Sequence, residues 1–558
     1  MSTVPPNMQN YDQYYRDFQW EVPLRFNFGR DVVDRWARDR SRLALLWEDA
    51  SGRQLRFTFG DISDLSARLG NALRALGVQP ADRVLVHLPR IPEWFIATIA
   101  CLKVGAVAIP TAEMMQAKDL QFRATHAGAV ALFTTPVGAE HFDTVAAACP
   151  VQHRIVVGDP VTGTAPRRDG WMLYTDLIAA GARTLHVADT AAETPAMMYY
   201  TSGTTGQPKG VLHAERALFA WREQAYCWLD NKPDDLHWCT ADTGWSKFGT
   251  SMVFGPWSWG TPLLMYHGPF DPEQRFHCLA KHRVTTFCAA PTELRLMVQH
   301  NLSRWDLGAL RHCVSAGEPL NQEVITRWHE GTGLHIYDGY GQTEALMACH
   351  NYRCLPIRPG SMGKPLPGYV LAVVDAEGMP LPAEREGDLA IHLPNPCLML
   401  GHWANPNGLN NACRGEWYIT GDRAWMDEDG YYWFVSRADD VILSAGYRIG
   451  PFEVENALSS HPAVVESAAV GSPDLIRGEI VKAFVVLRAG YVPSPALVAE
   501  LQAHAKRVTA PYKYPREIEF VAALPKTMTG KIRRAELKRQ EIQRKGQFMG
   551  VAAPVREG

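Results

Sequence analysis

The sequence predicts an α/β protein with a large N-terminal domain and a small α+β C-terminal domain. The chain of 558 residues is too long for a single hydrophobic core, so we expect more than one domain. Strand-like and helix-like segments alternate up to residue 315, and the pattern changes near residue 365 and again after residue 438. We therefore expect two βα-layered subdomains and a β-rich subdomain within residues 1–438, and a separate domain at 439–558.

In the first part of the chain, apolar runs of strand length alternate with longer helix-like segments. The predicted strands are 83–88, 106–110, 130–133, 285–289 and 311–315, and the predicted helices are 92–105, 118–127 and 291–300. A parallel strand needs a long crossover connection, which is usually a helix. The alternation therefore indicates βαβ units and parallel sheets covered by helices.

From residue 365 the chain changes to short strands separated by Gly and Pro turns, which favours a β-rich subdomain. After residue 438 two long strand-like segments precede a helix at 495–508 and a further strand at 517–521. Residues 439–558 carry 17 Lys and Arg against 13 Asp and Glu, on a chain with a formal charge of −3. A basic module on an acidic body suits a domain that meets an anionic ligand, although a solvated basic helix explains part of this charge.

Composition excludes several classes of protein. The apolar content of 46% and charged content of 21% are those of a globular protein, and the slight negative charge gives no reason to expect nucleic acid. The 11 cysteines form no Cys-x-x-Cys pair, which favours reduced thiols over zinc or disulfides. The polar N-terminal stretch resembles neither a secretory signal nor an Arg-rich transit peptide, so we expect a cytoplasmic protein without a membrane span.

The stretch 199–210, with the sequence YYTSGTTGQPKG, joins a strand-like run to a helix-like segment at 211–228. A strand, a Gly/Ser/Thr loop and a helix can hold a polyphosphate. Glycines let backbone N–H groups approach the oxygens, hydroxyls donate further bonds and Lys209 adds charge. The spacing differs from the Walker pattern, because Gly210 stands where a Ser or Thr would coordinate Mg²⁺. Without further context, the alternative is a flexible turn.

The full string Thr-Ser-Gly-Thr-Thr-Gly-x-Pro-Lys-Gly resembles the phosphate loop of the adenylate-forming superfamily of acyl-CoA synthetases, luciferases and peptide-synthetase adenylation domains. Four further phrases are most similar to the medium-chain acyl-CoA synthetase family: WEVP at 20–23, DTGW at 242–245, SAGYRIG at 444–450 and TAPYKYPR at 509–516. The resemblance covers residues 20–538. It implies that an acid and Mg·ATP give acyl-AMP and pyrophosphate, and that the thiol of CoA then displaces AMP.

Residues 337–344, YDGYGQTE, form the second motif. Its glycines permit close backbone approach, Thr343 offers a hydroxyl, and Glu344 offers a hard oxygen ligand suited to Mg²⁺. Taken alone, the segment could be a turn after a strand. The resemblance places Tyr340 near adenine, Thr343 at the α-phosphate and Glu344 on the metal.

Two further motifs contribute Asp422 with Arg437, and Lys531. A carboxylate that accepts both ribose hydroxyls is a recurrent way to bind a nucleoside, although Asp422 alone could cap a turn. Ser436 stands where relatives usually have Gly. Lys531 alone would be read as solvated, but the resemblance assigns it to bridging the substrate carboxylate and the nucleotide. Such a carboxylate is already ionised, so the reaction needs cations and positioning instead of a general base.

The resemblance thus gives a set of expected site residues. The ATP-binding residues are Thr201, Ser202, Gly203, Thr204, Thr205, Gly206, Gln207, Pro208, Lys209, Asp338, Gly339, Tyr340, Gly341, Gln342, Thr343, Asp422, Arg437 and Lys531. The catalytic residues are Lys531, Thr343 and Glu344, with Glu344 also as the metal ligand.

The resemblance also implies a mobile C-terminal domain that swings about Asp439 and brings a CoA site into place. The residues expected to contact CoA are Ala445, Gly446, Tyr447, Arg448, Arg477, Lys506, Tyr514, Pro515 and Arg516. Their positive charge fits a 3′-phosphorylated ADP group, although each cation singly could be a solvated surface charge.

The expected walls of the acyl pocket are Trp245, Gly317, Glu318 and Gly341. Relatives restricted to acetate place a Trp where this chain has Gly341, so we expect extra room and a medium-chain, branched or aromatic acid. Trp245 could instead belong to the core.

Three other functions of the same fold are alternatives to acyl-CoA synthesis. Loading of a carrier-protein thiol is one alternative, although no carrier domain follows in the sequence. Luciferase-like oxidation is another, without a residue pattern that supports it. A ligand-binding pseudoenzyme should have lost Lys531, Glu344 or Asp422, and all three are present. The sequence leaves the oligomeric state open, with a homodimer as one option.

Overall fold

The computed structural model describes residues 4–159, 164–201, 208–318, 320, 322–405, 407–437, 440–444, 447–474, 477–526 and 531–549. The predicted class is confirmed, because these residues form a large α/β N-terminal domain and a smaller C-terminal domain. The strands are β1 Leu43–Asp49, β2 Gln54–Thr58, β3 Arg83–His87, β4 Val107–Pro110, β5 Ala131–Thr134, β6 His153–Val156, β7 Met172–Leu173, β8 Pro195–Thr201, β9 Lys209–Ala214, β10 His237–Cys239, β11 Leu263–His267, β12 Thr286–Ala289, β13 His312–Ala316, β14 Ile336–Gln342, β15 Leu346–His350, β16 Lys364–Pro365, β17 Leu371–Val374, β18 Gly387–His392, β19 Gly401–His402, β20 Cys413–Arg414, β21 Trp417–Met426, β22 Tyr432–Arg437, β23 Ile442–Ser444, β24 Tyr447–Ile449, β25 Val464–Asp474, β26 Gly478–Leu487 and β27 Glu517–Phe520.

Helices cover the sheets and connect the parallel strands. They are α1 Tyr11–Asp17, α2 Phe59–Ala75, α3 Pro92–Val104, α4 Ala117–Ala127, α5 Pro136–Asp143, α6 Tyr174–Ala180, α7 Glu215–Ala220, α8 Arg222–Cys227, α9 Gly255–Ser258, α10 Pro272–Lys281, α11 Pro291–Met297, α12 Gln322–Thr332, α13 Gly408–Asn411, α14 Pro451–Ser459, α15 Pro495–Val508 and α16 Arg534–Met549. The long apolar run at 94–110 is a buried helix followed by a strand, as predicted. Within the described ranges, no helix has both the length and the apolar character needed to cross a bilayer.

Two large sheets form the body of the N-terminal domain. The first has the order β16-β15-β14-β13-β12-β10-β11-β1-β2 and is parallel from β14 to β1. The second has the order β19-β9-β8-β4-β3-β5-β6-β7 and is parallel from β8 to β7. A continuous hydrophobic core joins their inner faces. The carboxyl ends of β12, β13 and β14 therefore lie together at one edge, where open α/β sheets usually bind ligands.

Two smaller sheets complete the fold. The β-rich subdomain predicted after residue 365 is an antiparallel sheet with the order β17-β18-β21-β20, in which β22 also pairs with β21. The C-terminal domain has the sheet β24-β23-β26-β25, with β27 parallel to β26, and α14 and α15 pack on its own core.

The helix predicted over 211–228 is wrong in its first part. Residues after the Gly/Ser/Thr loop form β9, which pairs antiparallel with β8 so that Thr201 faces Lys209. Strand β9 also pairs with β19, so it is an interior strand with ladder hydrogen bonds on both sides. These nonlocal bonds outweigh the helix-like pattern, and helix begins only at Glu215. The loop therefore connects a β-hairpin, and no helix N-terminus follows it directly.

Candidate active site

A cleft of about 510 Å³ lies between the N-terminal domain and the C-terminal domain. Strands β14, β21 and β22 and the residues that follow β13 contribute one wall, while α14, the start of β25 and Lys531 contribute the other. The cleft brings together most of the described residues of the predicted ATP site. Those that line it are Thr201, Asp338, Gly339, Tyr340, Gly341, Gln342, Thr343, Glu344, Asp422, Arg437 and Lys531.

Asp422 is held at the cleft by two residues from other strands. The hydroxyl of Tyr340 donates a hydrogen bond to its Oδ2 at 2.5 Å. Arg437, directly opposite in the antiparallel β21–β22 pair, places Nε 3.2 Å from Oδ1. Burial raises the pKa of Asp422 above its ordinary value, while Arg437 and Tyr340 oppose that shift. A carboxylate fixed in this way can accept hydrogen bonds from a ligand without reorganising.

Several buried polar atoms of the cleft have no hydrogen-bond partner within the described part of the chain. They are Asp338 Oδ1, Gln342 Nε2 and Ser436 Oγ. Burying an unpaired polar atom costs about 1–3 kcal/mol, so a cluster of them at one place needs an explanation. A polar ligand that pairs with these donors and acceptors would remove this cost.

The turn between β14 and β15 carries Thr343 and Glu344, and neighbouring strands fix it. His213 of β9 donates from Nε2 to the Thr343 carbonyl at 2.8 Å, and burial lowers the pKa of His213 to about 4, so its ring is neutral. The hydroxyls of Ser246 and Thr343 are 3.1 Å apart. This turn is therefore tied to the hairpin that holds the Gly/Ser/Thr loop.

Glu344 has the charge that a metal ligand needs. Burial raises the pKa of this carboxyl, but the hydrogen bond from His402 and the charges of His402 and Arg437 outweigh it, so the pKa is lowered. The His402 Nε2 atom lies 3.5 Å from Glu344 Oε1. An ionised carboxylate at the cleft fits the hard-ligand preference of Mg²⁺.

At the carboxyl end of β13, Glu318 lines the cleft and is already paired. Its oxygens accept hydrogen bonds from Thr292 Oγ1 at 2.5 Å and from Arg295 Nη2 at 2.9 Å.

Lys247 joins the ends of β12 and β13, since it donates to the carbonyls of Ala289 at 3.3 Å and Ala316 at 2.9 Å. Sequence reasoning missed Arg295 and Lys247. Lys247 lies two residues after the DTGW phrase, and this closeness to a recognised motif was the only sequence feature that could have indicated it.

Lys531 reaches the cleft from the C-terminal domain. Desolvation of the ammonium group in the cleft lowers the pKa of Lys531 below the ordinary value, although the residue as a whole is exposed, and the carboxylates of Glu318 and Asp422 oppose that shift. Its ammonium group therefore lies in the same electrostatic environment as the proposed ribose and acid sites. This is the arrangement that a cation acting on the nucleotide requires.

Other predicted positions lie outside the described residues, and they are Ser202, Gly203, Thr204, Thr205, Gly206, Gln207, Asp439, Ala445 and Gly446. Pro208 and Lys209 are described, with Lys209 exposed at the start of β9.

The predicted acyl walls divide into two groups. Gly317, Glu318 and Gly341 line the cleft, whereas Trp245 is absent from its described lining and packs against the main core. A Cβ atom at Gly341 would lie 2.1 Å from the Leu346 carbonyl oxygen. The close β14–β15 pairing thus gives this position its own reason to be glycine. The role of Gly341 in opening acyl space stays a prediction beside this steric reason.

The predicted CoA residues lie apart from the cleft lining, as far as the described chain extends. Tyr447 stacks on Tyr512 with ring centroids 4.5 Å apart. Lys506 Nζ lies 4.0 Å from the ring centroid of Tyr514, and Arg516 donates to the hydroxyl of Tyr514 at 3.1 Å. Pro515, between Tyr514 and Arg516, is buried. Arg477 lies one residue before β26, and its backbone N–H donates to Asp474. The structure thus gathers cations and exposed aromatic rings on the C-terminal domain.

Comparison with known proteins agrees with this geometry. Residues 33–403 match the family described as AMP-binding enzyme, and residues 453–531 match the AMP-binding enzyme C-terminal domain. Acyl-coenzyme A synthetase ACSM3, mitochondrial, from Homo sapiens is 42% identical over 555 residues, which cover 97% of this chain and 94% of that protein. Acyl-coenzyme A synthetase ACSM4, mitochondrial, from Rattus norvegicus is 42% identical over 536 residues, which cover 93% of this chain and 91% of that protein.

Solved structures are similar over the same length. The anthranilate CoA ligase AuaEII in complex with anthranoyl-AMP has a TM-score of 0.85 at 30% identity, covering 94% of this chain and 99% of that one. The Brucella canis acyl-CoA synthetase has a TM-score of 0.74 at 34% identity, and the match covers 96% of this chain and 100% of that one.

The expected cytoplasmic location is contradicted, because the similar synthetases are named as mitochondrial proteins. Reduced thiols indicate a reducing compartment without identifying which one, so the cysteine pattern could not distinguish the two locations.

The similarity extends over nearly the whole chain and includes all four motifs singled out in the sequence. The chain belongs to the AMP-binding enzymes and, among them, to the medium-chain acyl-coenzyme A synthetase family.

Proposed function

We propose that this protein activates a carboxylic acid as acyl-AMP and then transfers the acyl group to CoA. The observation that carries the proposal is the cluster of buried polar atoms of Asp338, Gln342 and Ser436 that have no hydrogen-bond partner among the described residues, in a cleft that Asp422 and Lys531 also line. Such a cleft suits a nucleoside whose ribose hydroxyls and base can pair with these atoms. Similarity to an anthranilate CoA ligase holding anthranoyl-AMP supports the same chemistry.

In the first step, a carboxylate oxygen attacks the α-phosphorus of ATP while the bond from that phosphorus to the bridging oxygen breaks and pyrophosphate leaves. The acid is already ionised, so the barrier is charge repulsion, which Lys531 and Arg437 would reduce. In the second step, the CoA sulfur loses its proton and attacks the acyl carbon, and AMP leaves with the former carboxylate oxygen.

Mg²⁺ would be held by Glu344 together with phosphate oxygens. Among the described residues no group of three or more His, Cys, Asp or Glu could form an all-protein metal site. One carboxylate is what Mg²⁺ commonly uses when substrate phosphates complete its coordination. The ion would neutralise phosphate charge.

The proposed domain division is 1–438 and 439–558, with Asp439 as the hinge. The separation of Tyr447, Lys506 and Arg516 from the cleft supports a swing between the two steps, because CoA contacts would otherwise be far from acyl-AMP.

The experiment that tests the proposal measures the two steps separately. We expect acid-dependent exchange between ATP and pyrophosphate, and thioester formation with free CoA. Faster transfer to a phosphopantetheinylated carrier protein than to CoA would favour the carrier-loading alternative. Nucleotide binding without exchange for any acid would favour a pseudoenzyme.

We predict a preference for medium-chain, branched or aromatic acids, and a role in fatty-acid or lipid metabolism. Each buried methylene contributes about 0.8 kcal/mol, so kcat/KM should rise about fourfold per carbon until the pocket is full. A panel of acetate, butyrate, hexanoate, octanoate and benzoate, read by pyrophosphate release, checks this. Highest kcat/KM for acetate would contradict it.

We also predict an alkaline limit on the first step. Lys531 has a lowered pKa, so it loses its positive charge at a lower pH than an ordinary lysine, whose pKa is about 10.4. The kcat/KM of adenylation for ATP should therefore decline with rising pH below that value. In a Lys531→Arg variant the decline should move to higher pH, since arginine stays charged. An unchanged profile would contradict the assignment.

A homodimer stays a prediction. Light scattering of the purified protein at several concentrations would test it.

A further inference from the structure

The segment that carries Lys531 is fixed at its base by backbone hydrogen bonds. Lys526 and Ile532 form an antiparallel β-bridge, and the N–H of Arg533 donates to the carbonyl of Pro525 at 2.8 Å. These contacts bring residues 525–526 beside residues 532–533 without determining where Lys531 sits against the sheet of the C-terminal domain. That placement needs side chains.

One ion pair outside the proposed chemistry provides such a placement. Arg534, the first residue of α16, donates from Nε to Glu455 Oε1 at 2.9 Å and from Nη2 to Glu455 Oε2 at 2.5 Å. Bidentate pairing of this kind fixes direction as well as distance. Arg534 also lines the cleft three residues beyond Lys531.

Glu455 is in turn rigidly held. It lies on α14 with 6% of its surface exposed, and its Oε1 also accepts a hydrogen bond from the backbone N–H of Ala469 in β25 at 2.8 Å. The chain of contacts therefore runs from the sheet through Glu455 to Arg534, three residues beyond Lys531. A second pair, Lys526 with Glu466 at 2.9 Å, is more exposed and should contribute little.

We propose that Glu455 is a positioning residue for acyl-AMP formation, acting through Arg534 to hold Lys531 at the reacting phosphate. The inference rests on the proposed function of Lys531. A displacement of about 1 Å in a group that stabilises a transition state can cost about 100-fold in rate. In the proposed second step Lys531 has left the site, so the same displacement should matter little there.

Glu455→Gln tests the proposal, since glutamine keeps the size of the side chain and an oxygen for the Ala469 N–H. We expect acyl-AMP formation to fall about 10- to 100-fold in kcat, with the KM for ATP changed less than threefold. Thioester formation from supplied acyl-AMP and CoA should stay within about twofold of the unmodified enzyme.

Glu541→Gln is the matched control. Glu541 is also a buried carboxylate of this domain, with 1% of its surface exposed, and it accepts hydrogen bonds from Ser472 at 2.7 Å, Lys482 at 2.7 Å and Arg544 at 2.6 Å. Its partners lie outside the described lining of the cleft. This variant should lower the melting temperature, but it should not lower acyl-AMP formation more than thioester formation.

Several outcomes would overturn the proposal. Unchanged adenylation in Glu455→Gln would do so, as would equal loss of both half-reactions. If that variant does not fold, Arg534→Lys, which keeps the charge but not the bidentate geometry, should give the same separation to a smaller extent. Lys531→Ala separates this inference from the role on which it depends. Full adenylation in Lys531→Ala would overturn both, whereas its loss there with full activity in Glu455→Gln would overturn the positioning role alone.

Discussion

Replacing Lys531 with alanine should lower the rate of acyl-AMP formation by about 10²- to 10³-fold, the usual cost of removing a group that stabilises developing charge. Lys531 enters the cleft from the C-terminal domain and shares its electrostatic environment with Glu318 and Asp422. Without its ammonium group, the attacking carboxylate and the α-phosphoryl oxygens repel each other with less compensation. The KM for ATP should change less than the kcat, because most of the proposed contacts to the nucleotide come from the N-terminal domain.

The measurement is single-turnover formation of acyl-AMP from acid and ATP, with thioester formation from supplied acyl-AMP as the second readout. We expect thioester formation to stay within about threefold, since the proposed swing removes Lys531 from the site before that step. Lys531→Arg restores the charge with a different shape and should recover part of the lost rate. Equal losses in both half-reactions would contradict the assigned role and indicate a general defect of the domain.

The residues proposed to bind the nucleotide could be singled out from the sequence because ligand chemistry limits which residue types can serve. Tyr340, Asp422 and Arg437 come from three different strands, and the structure joins them through one hydrogen bond and one ion pair. Their motifs predicted that they would meet. The motifs did not predict that Tyr340 would hold the carboxylate through its hydroxyl, because that contact depends on how β14 lies beside β21.

Features that depend on distant partners could not be predicted. Strand β9 has a helix-like pattern and becomes a strand only through its pairing with β8 and β19. Glu455 and Arg534 are 79 positions apart, and each taken alone is typical of a solvated helix face. The glycine at 341 has a steric reason that becomes visible only with β15 beside it.

Replacing Asp422 with asparagine should lower kcat/KM for ATP by about 10- to 150-fold, the equivalent of about 1.5–3 kcal/mol for hydrogen bonds to a charged group. Most of the loss should appear as a higher KM, because the proposed ribose contacts would be made both before and during the reaction. Asparagine fills the same volume but offers one acceptor oxygen instead of two. It also removes the negative charge that Arg437 faces across the β21–β22 pair.

The ribose assignment can be tested with the ligand as well as the protein. The unmodified enzyme should prefer ATP over 2′-deoxyATP and 3′-deoxyATP, and Asp422→Asn should lose most of that preference. Tyr340→Phe is the matched control, since it removes one donor to Asp422 while keeping the ring and the carboxylate. That variant should retain the preference for ATP. If Asp422→Asn still distinguishes ATP from both deoxy analogues as the unmodified enzyme does, the carboxylate does not bind the sugar, and the ribose assignment is wrong.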